Sequence, residues 1–221
     1  MLPLSYLFLS AVSLFSLSAT YTAFSIPTNN NNVSQPAHYA TTNFSEQENL
    51  IPYTNSIHGI KIDYPSDWQP VERQNNGYHM LNVVVELLQP QQNDYYNSTI
   101  SATHNSLRLS VEDYKSFTEK LSGNTTDNPL QLIGNKRIGS IGISCPGFDL
   151  KSYVRNATLS GNPAYEINFD YSYLNNNKKA IEAWTIQDGK VYIINYVANE
   201  ATYDTTLPLV QKMIESFKIT T

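Results

Sequence analysis

Gly142-Ile143-Ser144-Cys145-Pro146-Gly147 is the stretch of this sequence that most invites nucleophilic chemistry. It sets a serine beside the chain's single cysteine between glycines, as a hydrolase does at the strained turn presenting its nucleophile. The second glycine, however, falls one position late, and no strand-then-helix pattern surrounds it. A catalytic thiol must ionise at working pH, which takes a nearby cation, a helix N-terminus or a base. Ser144 and Pro146-Gly147 supply none of these, and the nearest basic residues in sequence are Arg137 and Lys151. Cys145 is therefore expected in an irregular loop, non-catalytic but open to alkylating agents, with an ordinary thiol pKa of about 8.5.

His58, His79 and His104, together with Asp63 or Asp94, are the side chains that could meet at a metal. None of their spacings matches a ligand pattern that holds zinc. No Asp-rich loop announces calcium, although exposed carboxylates leave weak calcium binding open. The expectation is a protein without cofactor, metal or catalytic residues. The alternative is a small extracellular enzyme or metal-binding protein whose site is assembled from scattered His and Asp residues.

The elements that would position any site are mostly strands. Ile57, Ile60, Ile62 and Tyr64 lead into Pro65, and Tyr165, Ile167, Phe169, Tyr171 and Tyr173 alternate with polar residues at a period of two. Met80–Leu88 and Val191–Val197 are apolar on both faces. Asp188-Gly189 between Trp184 and Tyr192 is a two-residue hairpin signal, which makes that strand pair antiparallel. One helix is expected to start at Ser110 as N-cap, with a stripe of Val111, Tyr114, Phe117 and Leu121, and to end at Gly123. A second ends the chain, with Leu207, Val210, Ile214 and Phe217 at helical spacing and Pro208 near its start. Residues 122–147 fit no regular element and are expected to be an irregular insertion. Antiparallel strands apolar on both faces need cover on both sides. The expected fold is α+β, a three-layer α/β/α sandwich around a central antiparallel sheet.

Composition bounds the setting. The chain has 221 residues, 41% of them hydrophobic, which suffices for one core. Its 14 basic and 19 acidic residues give a net charge of −5 without a Lys/Arg cluster, so nucleic acid is excluded as a partner. The first 45 residues carry no Asp, Glu, Lys or Arg. Residues 1–25 read as a signal peptide, with Ala23 and Ser25 at a cleavage site, as an uncut membrane anchor, or as the product of a misplaced start codon. Residues 26–49 are rich in Asn, Thr and Ser and read as a flexible tether. Glycosylation acceptor triplets stand at Asn32, Asn43, Asn97, Asn124 and Asn156. A lone cysteine excludes an internal disulfide framework. The expectation is a secreted or cell-surface glycoprotein, monomeric over its folded part.

Four stretches resemble the PsbP-like family, which is named for the extrinsic subunit of photosystem II: GIKIDYPSDW from Gly59, LSGNPAYEINFDY from Leu159, AWTIQDGKVYIINYVA from Ala183, and YDTTLPLVQKMIESFKI from Tyr203. They span most of residues 50–221 in the family's order. The resemblance implies an α/β/α sandwich with an antiparallel sheet, in which Pro65, Asp67, Trp68, Gly161, Pro163 and Tyr165 are structural. The plant subunit docks on photosystem II and helps to retain calcium and chloride. The leader and tether resemble instead those of exported prokaryotic relatives, archaeal ones among them. The implied role is a non-catalytic binding or assembly module at the cell surface, with an unknown envelope or membrane protein as partner. Within the first stretch, Pro65 should end a strand, Asp67 should cap the turn, and Trp68 should fold back as a plug over the sheet.

Overall fold

The computed structural model describes residues 49–73, 81–90, 105–119, 128–173 and 176–220. The segments 1–25 and 26–49 (all but Asn49), and the acceptors Asn32, Asn43, Asn97 and Asn124, lie outside them. Strands β1 (Leu50–Asn55) and β2 (Ile60–Pro65) form a hairpin, and β10 (Lys218–Ile219) joins the other edge of β2 to make a small antiparallel sheet. Seven further strands make the main sheet: β3 (Gln69–Glu72), β4 (Val83–Leu88), β5 (Ser106–Asp113), β6 (Asp149–Leu159), β7 (Asn162–Tyr173), β8 (Asn176–Gln187) and β9 (Lys190–Asn199). Their order is β3-β4-β5-β9-β8-β7-β6, and every pairing is antiparallel.

Two-residue turns set the register of the long hairpins. Asp188 (φ 50°) and Gly189 (φ 72°) join β8 to β9, and Ser160 (φ 53°) and Gly161 (φ 77°) join β6 to β7. Positive φ at both central residues matches the twist of the flanking strands, which is why the expected hairpin at Asp188-Gly189 forms.

Helices α1 (Tyr114–Thr118), α2 (Pro129–Ser144) and α3 (Glu200–Ser216) complete the described elements. α3 packs on β2, β8 and β9, and α2 packs on β7 and β8. Alternation along β9 shows the two faces. Tyr192, Ile194, Tyr196 and Ala198 join one core with Val210, Met213 and Phe217 of α3. Val191, Ile193 and Val197 join the other with Ile133 and Ile141 of α2. Helix, antiparallel sheet and helix are the three expected layers.

Four expectations are corrected. Ser110 is no N-cap: it lies in β5, where Leu107, Leu109 and Val111 alternate with Arg108, Ser110 and Glu112 at the period of a strand. The cap is Asp113, whose side chain accepts from the Ser116 N–H at 2.8 Å, and α1 is five residues long. The insertion at 122–147 is not irregular, because 129–144 is α2. Asn128 caps it, accepting from the Leu130 N–H at 2.9 Å, and Pro129 takes the first helical position. α3 begins at Glu200, well before Pro208, which sits inside the helix. Ile57 is in the β1–β2 turn and exposed rather than in a strand.

Candidate functional site

The side of the main sheet that faces α2 is not uniformly apolar. Glu86 on β4 stands opposite Arg108 on β5, Arg108 opposite Asn195 on β9, and Asn195 opposite Glu182 on β8. Four polar side chains thus form a row across the middle of the sheet. Each is embedded in an apolar strand; Asn195 shares its face with Ile193 and Val197, and Glu182 with Ala180 and Trp184. α2 meets this row at Arg137, whose Nε donates to Glu182 Oε1 at 2.6 Å and whose Nη2 donates to Oε2 at 2.9 Å. The pair is buried, with side-chain exposures of 7% and 1%. Burial disfavours the Arg137 charge, but Glu182 outweighs this and raises the guanidinium's proton affinity.

A second charged group continues the row. Glu86 accepts from Arg73 and, at 2.8 Å, from Arg108 Nε. Burial works against ionised Glu86, yet the two guanidinium groups prevail and hold its carboxyl below the usual glutamate range. Glu112, one turn of the pleat beyond Ser110, accepts from the backbone and side-chain amides of Asn82. Burial pushes this carboxyl up against the opposing pull of those amides and of Arg137. Among the described residues Arg73, Arg108 and Arg137 therefore face Glu86, Glu112 and Glu182, three charges of each sign, with Lys136 also acting on Glu112.

Between α2 and this row lies a cleft of about 330 Å³. Its helix side is Arg137, Ile141, Ser144 and Cys145; its sheet side is Arg108, Ser110, Asn195, Glu182, Phe169, Tyr171 and Val197, with Leu81 and Val83 at one end. Cys145 is the C-cap of α2, its N–H bonded to Ile141 O at 2.8 Å. Burial pushes its thiol up, Arg137 pulls it down and Glu182 pushes it up again, with a net rise. This corrects the expectation of an ordinary thiol: the cysteine does meet a cation, but that cation is committed to Glu182. Burial also pushes the Tyr171 phenol up to about 12. Both groups are neutral hydrogen-bond donors over the physiological range.

Two of the five metal candidates, His58 and Asp63, fall among the described residues. His58 sits in the β1–β2 turn, where its N–H donates to Asn55 Oδ1 at 3.0 Å, and Asp63 lies in β2. His79, His104 and Asp94 are outside the described residues. Among the described residues no group of three or more His, Cys, Asp or Glu side chains could hold a metal ion.

The other singled-out residues are distributed over the framework. Pro65 ends β2, and the turn after it closes through the backbone, Trp68 N–H to Pro65 O at 2.9 Å. Asp67 is exposed and its carboxylate makes no hydrogen bond to a described residue, so it does not cap. Trp68 is 4% exposed, within the core on the α3 side. Pro163 is paired with Thr158 in the β6–β7 hairpin, and Tyr165 packs against Tyr153 and Trp184. Asn156 is exposed on β6, the edge strand of the main sheet.

The cleft itself escaped sequence reading. Its signal was present as single polar residues inside apolar strands: Arg108 in SLRLSV, Glu182 in AIEAW and Asn195 in YIINYV. A buried polar residue is the informative exception to the inside-apolar rule.

No curated protein matches the chain. Among solved structures, cyanobacterial PsbP from Synechocystis sp. PCC 6803 superposes with a TM-score of 0.56 at 16% identity, covering 78% of this chain and 93% of its own. LpqN of Mycobacterium tuberculosis, described as involved in cell envelope biogenesis, gives 0.48 at 15% identity, covering 78% and 91%. The PsbP family model matches residues 48–219, which take in both sheets, all three helices and the cleft between them, and the chain belongs to the PsbP family.

Proposed function

We propose that this chain is an exported, non-catalytic binding module of the PsbP family, which works at the cell surface or envelope and binds through the cleft between α2 and the main sheet. The observation that carries this reading is the state of the cleft's chemical groups. Its charges are paired with one another at hydrogen-bond distance, and its thiol is raised, not lowered. Nucleophilic catalysis needs the reverse, a group made more reactive by its surroundings. A balanced, preformed cleft with apolar walls and a few fixed polar groups is suited to binding.

Export rests on the uncharged leader and the acceptor triplets of the sequence, among which Asn156 is exposed on an edge strand. Among the described residues no helix is long and apolar enough to cross a membrane, so any membrane anchor is assigned to the N-terminal segment. The folded part acts as a monomer without cofactor or metal, and its partner is a protein of the envelope.

Fractionation of cells expressing the full chain, with metal analysis and affinity capture on the purified protein, tests this. The expected result is location in the envelope or medium, no stoichiometric metal, and capture of an envelope protein that substitutions in the cleft abolish. A stoichiometric metal, or a thiol titrating below the ordinary cysteine range together with a turnover, would establish the enzyme or metal-carrier alternative instead.

A further inference from the structure

The geometry points to an uncharged carbonyl group on a compact hydrocarbon frame as what the α2 cleft takes from its partner. This rests on the reading of the cleft as a binding site and adds the chemistry of what it holds.

The hydrogen-bonding groups of the cleft are only partly used. Ser110 is 3% exposed and lines the cleft, and its hydroxyl makes no hydrogen bond to a described residue. The buried side-chain atoms without a partner among the described residues are those of Ser106, Tyr153 and Tyr196, so the Ser110 oxygen is not sealed off and is open to whatever enters the cleft. The Asn195 amide, the Tyr171 hydroxyl and the Cys145 thiol line the same space, and no side chain among the described residues pairs with them. Arg137 gives Nε and Nη2 to Glu182, while its other guanidinium N–H groups find no acceptor among the described residues. A guanidinium can only donate. The Ser110, Tyr171 and Asn195 groups can donate or accept, whereas the spare Arg137 N–H groups can only donate, so the surplus is one of donors and an acceptor oxygen complements it.

Charge narrows the choice further. Arg137 is matched by Glu182 with Glu112 nearby, and Arg108 shares Glu86 with Arg73. An anion entering this balanced, partly dry space would lose its hydration without gaining an uncompensated cation. A cation would meet carboxylates already engaged. A carbonyl is a strong uncharged acceptor, and Phe169, Ile141, Leu81, Val83 and Val197 supply an apolar surface for the rest of the molecule. A volume of about 330 Å³ is at the small end of ligand sites.

Cys145 makes the test direct, because it lines the cleft and is the only thiol of the full chain. Its alkylation by iodoacetamide is followed at a fixed alkaline pH with increasing benzamide, benzoate or toluene. Benzamide should slow the reaction saturably. Toluene, which keeps the frame but lacks the acceptor, should bind about threefold to tenfold more weakly, the worth of one hydrogen bond. Benzoate should protect least. In Ser110→Ala the benzamide affinity should fall by a similar factor while toluene protects as before, which shows that the cleft is still formed.

Stronger protection by benzoate than by benzamide overturns the proposal in favour of an anion site, and leaves the binding-module reading standing. Equal protection by toluene and benzamide, or none by any probe, overturns it as well. The binding-module reading falls separately, if envelope capture is insensitive to cleft substitutions.

Discussion

Arg137 of α2 and Glu182 of β8 meet in a two-point, in-plane ion pair at 2.6 and 2.9 Å, and they are the contact that fixes the helix over the sheet where the cleft opens. The pair hides both charges in the core on the α2 side, beside Ile133, Ile141 and Trp184. Removing one member leaves the other buried and unmatched, at a cost of about 3–5 kcal/mol. Glu182→Leu should therefore lower stability by that amount in urea unfolding. Arg137→Met combined with Glu182→Leu should regain most of the loss, since apolar replacement of a whole buried pair is often neutral. A double variant as unstable as the single one would show that the pair's worth lies in more than its charges.

The same balance sets an acid limit. Burial opposes the ionised form of Glu86, but Arg108 and Arg73 prevail and its folded-state pKa lies below the unfolded one. A lowered carboxyl contributes stability that is complete above the unfolded value of about 4.3 and is lost as pH falls through the folded value. Glu112 runs the other way. Burial raises its pKa, so its ionisation lowers stability as pH rises through the folded value. Glu86→Gln should flatten the loss of stability below about pH 4.3, and Glu112→Gln should flatten a decline on the neutral side. Unfolding free energy measured from pH 3 to pH 8 for the three proteins checks both signs. The prediction fails if Glu86→Gln steepens the acid limb.

Which parts of this arrangement were legible follows from where each partner lies in sequence. The Asp188-Gly189 hairpin and the alternation of β7 are local, and both read directly. α2 was hidden because its buried stripe, Ile133, Arg137 and Ile141, has a charge at the centre, and the glutamate that makes the charge admissible is 45 residues away on β8. Its local start signal, Asn128-Pro129, was nonetheless present. β5 was mistaken for a helix because Glu112 and Asp113 resemble an acidic first turn, while the strand period runs back to Ser106 through residues with partners on β4 and β9. The cleft depends on five strands and a helix meeting. No single window of sequence contains it.

Gly134 shows how closely that helix lies on the sheet. A Cβ built there would come within 2.4 Å of the Tyr153 hydroxyl oxygen and 2.7 Å of Trp184 Cζ2. Trp184 is held in place, its Nε1 donating to Leu130 O at 2.9 Å. Gly134→Ala should cost about 1–3 kcal/mol through overpacking. Gly139 is exposed on the same helix, and a Cβ there meets nothing within 4 Å. Gly139→Ala should stabilise by about 0.5–1 kcal/mol through helix propensity alone. Thermal unfolding of the two variants side by side separates contact from propensity. Equal and favourable shifts would mean that α2 stands farther from β8 than described.

Trp68 tests the division between framework and site from the other face. It lies just beyond the turn at Pro65, buried in the core that Ile60, Ile62, Tyr64 and Phe217 share, on the side of the main sheet away from the cleft. An aromatic there buries a large apolar surface and closes the gap between the small sheet and α3. Truncation to alanine leaves a cavity that a sheet cannot easily collapse, so Trp68→Ala should lose about 3–5 kcal/mol in urea unfolding. Below its melting range the variant should keep the alkylation rate of Cys145 and its slowing by benzamide, because Cys145 belongs to the opposite face. Unchanged stability with altered Cys145 protection would make the Pro65–Trp68 turn part of the binding site, and the two faces of the sheet would then have to be treated as one.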